Sequence, residues 1–97
     1  MKIEKTVNEE AIYLHVFEGE DKDDIRQFIN FATLERNAIV LDFTQTKTVN
    51  SSFIAGLVSV YEECLEKNIK FVISGVNETV KNIFDCVGIS KIMKMWV

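Results

Sequence analysis

The chain contains no proline, and its four glycines, Gly19, Gly56, Gly75 and Gly88, are scattered over 97 residues. Lack of proline excludes a rigid proline-rich linker or ligand segment. Dispersed glycines exclude a Walker or dinucleotide phosphate loop, which needs them clustered. Cysteine is limited to Cys64 and Cys86 and histidine to His15, so no metal-ligand spacing can be drawn. Both thiols fall in helical, apolar patterns and read as packed side chains of a reducing compartment. No apolar run approaches the roughly 18–20 residues of a membrane span. The N-terminus turns acidic at Glu4, unlike a secretory signal. Basic runs are missing as well. Lys plus Arg number 11 against 15 Asp plus Glu, and a net charge of −4 disfavours nucleic acid and anionic membranes as partners. The expectation is a cytoplasmic domain without metal or cofactor, without a DNA or RNA partner and without membrane insertion.

What is present is the composition of a globular chain, 47% hydrophobic and 27% charged. Residues 1–97 suffice for one core, hence one domain. Residues 2–7 read as an amphipathic strand, and after the polar turn Asn8-Glu9-Glu10, residues 11–17 read as a strand covered on both sides. The two pair as an antiparallel hairpin. Acidic residues Glu18, Glu20, Asp21, Asp23 and Asp24 then suit the positive end of a helix. Ile25, Phe28, Ile29 and Ala32 recur at helical spacing, widened by Phe31 and Leu34. Residues 38–43 form a buried strand, and a polar loop over 44–49 leads to the helix-start signal Asn50-Ser51-Ser52. Phe53, Ile54, Leu57, Val58, Tyr61, Cys64 and Leu65 make the stripe of a second helix. A strand follows over 69–74. Asn77 caps a third helix striped by Val80, Ile83, Phe84 and Val87, which ends at a left-handed Gly88. Residues 91–97 are a last strand. The order ββαβαβαβ predicts an α/β fold with a mixed, mostly parallel sheet of about five strands and three helices.

No enzyme can be assembled from these residues. His15 has no adjacent nucleophile, and the thiols lack the electropositive setting that activates one. The acidic cluster at 18–24 is interrupted by Lys22 and reads as a solvated helix start. The Asn50-Ser51-Ser52 segment is the informative place, because α/β sheets present function where a strand's exit loop opens a helix. There a hydroxyl or amide caps the helix, worth about 0.5–2 kcal/mol. A phosphoryl group would meet exposed amides and the positive dipole end, so such a site tolerates added negative charge.

The run Ile39-Val40-Leu41-Asp42-Phe43, then Thr48-Val49-Asn50-Ser51-Ser52, resembles the STAS domain, and in particular bacterial anti-sigma factor antagonists. So do Phe71-Val72-Ile73-Ser74-Gly75-Val76-Asn77, the helix through Val87-Gly88-Ile89, and the glycine after the second strand, Gly19. The resemblance implies a regulatory protein-interaction domain with its phosphorylation site at Ser51 and a partner-binding surface at Thr48, Asn50, Ser52 and Phe53. It implies as partner an anti-sigma factor that is also a Ser/Thr kinase, bound when Ser51 is unmodified and released by its phosphorylation. Two residues depart from the family pattern: Asn50 stands where the family has an acid, and Phe53 where it has glycine. The resemblance further leads to the expectation that the family's helix after the last strand is missing here, leaving Met93, Met95 and Trp96 as apolar surface for a partner or a homodimer. STAS-fold alternatives are an accessory subunit of a lipid-transport ABC complex and a non-phosphorylated signalling scaffold.

Overall fold

A computed structural model of the chain describes residues 2–32, 34 and 37–88. Strands β1 (Ile3–Val7), β2 (Ile12–Val16), β4 (Ala38–Asp42) and β6 (Lys70–Ser74) form a sheet in the order β1-β2-β4-β6. The hairpin β1-β2 is antiparallel, with Ile3 opposite Val16, whereas β2-β4 and β4-β6 are parallel. A two-residue parallel pair, β3 (Glu18–Gly19) with β5 (Thr48–Val49), forms a separate small sheet. Helices α1 (Ser51–Glu66) and α2 (Glu78–Val87) complete the described fold.

Alternation along the strands sets the layers. Ile12, Leu14 and Val16 of β2, Ile39 and Leu41 of β4, and Phe71 and Ile73 of β6 are buried. They share one core with Phe53, Ile54, Leu57, Val60, Tyr61 and Cys64 of α1 and Val80 and Phe84 of α2. Period-2 strands and period-3.6 helices thus turn their apolar faces to one another. Phe43, just past β4, joins the layers edge-on: its ring centroid lies 6.4 Å from Phe53 and 5.5 Å from Phe84. Burying side chains of this size stabilises by about 1.5–3 kcal/mol each before entropy is counted.

Both α-helices start and stop as their sequences dictate. Asn50 accepts a hydrogen bond from the Phe53 amide and Asn77 one from the Val80 amide. Gly88 closes α2 at φ 73°, in the left-handed region. The helix expected from Ile25 onward is replaced by a turn over 22–25 and a single 3-10 turn, Arg26–Phe28. Ile29 is already extended at φ −124°, ψ 121°. Asn30 then accepts from the Ala32 amide, a local bond that competes with continued helix. The apolar pattern is still used: Ile25 and Ile29 are buried, and Phe28, Phe31 and Leu34 pack against the core. Arg26 donates to Glu63 Oε1 at 2.8 Å and to Ser59 Oγ at 3.2 Å, tying this segment to α1.

Other expectations shift too. Leu65 is exposed and Val60 takes the core position, because a 3.6-residue period drifts past the stripe by the helix end. Cys86 is exposed on α2. Cys64 is buried, and desolvation pushes its thiol up to about 11. Strand β2 is fully covered on one side only, since Tyr13 and His15 are partly exposed. The expected strand at 91–97 and the homodimer surface around Met93, Met95 and Trp96 lie outside the described residues.

Gly19 is where this packing is tightest. A Cβ there would stand 2.4–2.7 Å from three ring atoms of Phe53, which is itself held against Phe43. Gly19→Ala is expected to cost about 1–3 kcal/mol through overpacking. In a domain of this size that lowers the melting temperature by roughly 4–8 °C per kcal/mol. Urea unfolding checks it through a lower midpoint with an unchanged slope.

Candidate functional site

The start of α1 is built from the β5 exit loop and the segment after β2. The Lys47 amide donates to Phe17 O at 2.9 Å, and the Asn50 amide to Gly19 O at 3.0 Å. Between these bonds β3 and β5 pair in register, Glu18 with Thr48 and Gly19 with Val49. Thr46 is buried, its hydroxyl donating to Val16 O. Its carbonyl accepts from Asn77 Nδ2 at 2.7 Å. The loop is thereby fixed to β2 on one side and to the start of α2 on the other.

Asn50 uses its whole carboxamide. Oδ1 accepts from the Phe53 amide at 2.9 Å, and Nδ2 donates to Glu20 O at 2.8 Å. An aspartate, acceptor-only when ionised, would keep the first bond and place its other oxygen against the Glu20 carbonyl. Asn50 is therefore matched to this loop as the family's acid would not be. The substitution of Phe for Gly at 53 has a similar local account. Phe53 is 1% exposed, with its ring lying over Gly19, so it belongs to the core and is removed from the expected partner surface.

Thr48, Asn50, Ser51 and Ser52 are all exposed. Ser51 and Ser52 occupy the first turn of α1, whose amides lack intrahelical acceptors and carry the positive end of the helix dipole. The structure thus brings the predicted hydroxyls together on a rigid, solvent-facing turn. Nearby acids are engaged locally: Asp24 Oδ2 accepts from the amides of Glu20 and Asp21, and Glu20 pairs with Lys2 at 2.9 Å. Among the described residues no group of three or more His, Cys, Asp or Glu side chains could hold a metal ion.

A second polar cluster escaped the sequence reading. His15 Nδ1 lies 2.9 Å from Asp42 Oδ2, and Asp42 Oδ1 accepts from the Thr44 amide at 2.9 Å and from its hydroxyl. The signal was the parallel register of β2 and β4, which pairs His15 with Asp42 across 27 residues. Partial burial pushes the Asp42 carboxyl up. Hydrogen bonds from Thr44 and His15 outweigh it and hold the group below its ordinary 3.8.

These features define a class, a small α/β domain that presents a capped, hydroxyl-bearing helix start. The model of the STAS domain family matches residues 3–97, and the chain belongs to that family. No curated protein matches it in sequence. Among solved structures it is similar to that described as the anti-sigma factor antagonist SpoIIAA in its unphosphorylated form. The TM-score is 0.75 at 19% identity, covering 98% of this chain and 85% of that one. At that identity the likeness carries the fold. Among the described residues no helix is long and apolar enough to cross a membrane.

Two outcomes test the site. Asn50→Ala is expected to lose about 0.5–2 kcal/mol of stability. Asn50→Asp should retain part of the cap yet fall below the parent for want of the Glu20 bond, as denaturant titration of the three proteins would show. Asp42, with its folded pKa depressed, contributes stability that is complete above 3.8 and lost as pH falls through the folded value. Asp42→Asn should therefore be less stable than the parent at neutral pH, with the gap closing below 3.8 in a pH series of unfolding curves.

Proposed function

We propose that this STAS domain is an anti-sigma factor antagonist, a cytoplasmic regulatory binding domain rather than an enzyme, switched by phosphorylation at Ser51. The unmodified domain docks on an anti-sigma factor that is also a Ser/Thr kinase, through Thr48, Ser51, Ser52 and the exposed edge of Asn50. The kinase moves the γ-phosphoryl group of a nucleoside triphosphate onto Ser51 Oγ, with loss of the hydroxyl proton, and the modified domain is released.

The observation that carries this reading is the exposed first turn of α1, with Ser51 immediately after a cap that the loop holds by two side-chain bonds. Such a turn accommodates about −1.5 to −2 added charge without unfolding, since amides and dipole both favour it. The same charge inside a docked interface meets desolvation and repulsion, and each 1.4 kcal/mol of that weakens binding about tenfold. The switch thus acts on the complex and leaves the fold intact. STAS family membership supports the reading.

Phosphopeptide mapping of the protein from its own cells, in growing and stressed cultures, should find Ser51 modified to a different extent in the two. Ser51→Asp should keep the parent's melting temperature and bind the co-purified kinase at least tenfold more weakly than Ser51→Ala, by about 1.4 kcal/mol or more. Equal affinities of the two variants, or an unmodified Ser51 in every condition, would sink the reading.

A further inference from the structure

The sheet face turned away from the helices carries a polar row that the proposed switch does not use. Glu4 of β1 lies opposite His15 of β2, and His15 opposite Asp42 of β4, so three strands place one side chain each in a single line. A cleft of about 250 Å³ opens on this row, lined by Glu4, His15, Val16, Phe17, Asp42 and Gln45. Among the described residues that line it there is no lysine or arginine, whereas there are two carboxylates. Side chains of His15 and Asp42 are 33% and 30% exposed, accessible yet partly desolvated.

The chemistry of the lining is specific. Asp42 holds the His15 ring by its Nδ1, so in the neutral ring the proton sits on Nδ1 and Nε2 is an acceptor. Glu4 adds two acceptor oxygens and Gln45 a carboxamide oxygen. Phe17 adds to the lining an aromatic residue, a type that attracts cations. Acceptor-bearing side chains from three strands and the loop after β4, two carboxylates and an aromatic residue in the lining match a planar cation with several donors better than an anion or a neutral molecule.

We propose that the Glu4–His15–Asp42 cleft is a binding site for a guanidinium group, carried by a small alkylguanidine or by an arginine side chain. His15 is the only histidine, so its ring signals report on the site without ambiguity. The full chain is titrated with n-butylguanidinium by proton NMR, with n-butylurea as the neutral isostere. Saturable movement of the His15 ring signals is expected with the guanidinium and none with the urea. Glu4→Gln, an exposed substitution on the edge strand, should weaken binding at least fivefold with an otherwise unchanged spectrum. Equal response to the urea, a shift that never saturates, or an unaltered affinity in Glu4→Gln would each overturn the site. An acetylated Gly-Arg-Gly amide distinguishes the sources. Tighter binding than n-butylguanidinium assigns the site to a partner's arginine, and weaker binding to a free alkylguanidine.

Discussion

Everything at the start of α1 depends on one close approach, the face of Phe53 against the bare Cα of Gly19. Because no Cβ intervenes, the segment after β2 comes near enough for the Asn50 amide to reach Gly19 O and its side chain to reach Glu20 O. Those bonds set the direction in which α1 leaves the loop. That direction in turn exposes Ser51 and Ser52 while turning Phe53 inward. A hydrophobic contact and a set of polar bonds therefore determine the same geometry, and neither would specify it alone. A second glycine repeats the device one turn on: a Cβ on Gly56 would stand 1.9 Å from Lys22 O, so helix and preceding turn touch backbone to backbone.

Much of this was legible in residue order. The near-continuous apolar runs at 11–17 and 38–43 marked strands because a strand covered on both faces reads that way, although β2 is fully covered on one side only. Asn50, Asn77 and Gly88 marked helix ends because caps are local chemistry, decided within three or four residues. Ile25 to Ala32 misled for the complementary reason. Helical spacing of apolar residues is necessary for an amphipathic helix, but a 3-10 turn and loop bury the same side chains when Asn30 bonds its own neighbourhood. For Phe53 helical spacing indicated the apolar stripe and the family resemblance indicated the partner surface; the spacing holds, and the burial depends on Gly19, 34 residues earlier. The His15–Asp42 pair was invisible for a like cause, since only strand register brings those residues together.

The two faces of the sheet divide the molecule's work. One is sealed by α1 and α2 and supplies stability, with Phe43 linking the helices through edge-on rings. The other presents side chains that are partly dry and mutually bonded, with Asp42 serving His15 and Thr44 at once. Acidic residues are drawn into specific bonds on both sides of the chain, as with Asp24 under the turn and Glu63 on Arg26. The net charge of −4 is thus in part a set of local fastenings.

The carboxamide of Asn50 also governs how the protein ages. An asparagine followed by serine is a common place for spontaneous deamidation, in which the next residue's backbone nitrogen attacks the side-chain carbonyl and closes a five-membered imide. Here both ends of that side chain are tied, to Phe53 and to Glu20, and Ser51 is locked in the first helical turn. The nitrogen is held off its target, and the imide forms only when the loop opens. Chemical lifetime at this position is therefore set by the fraction of time that one turn stands open, and damage there would convert Asn50 to an acid beside the serine.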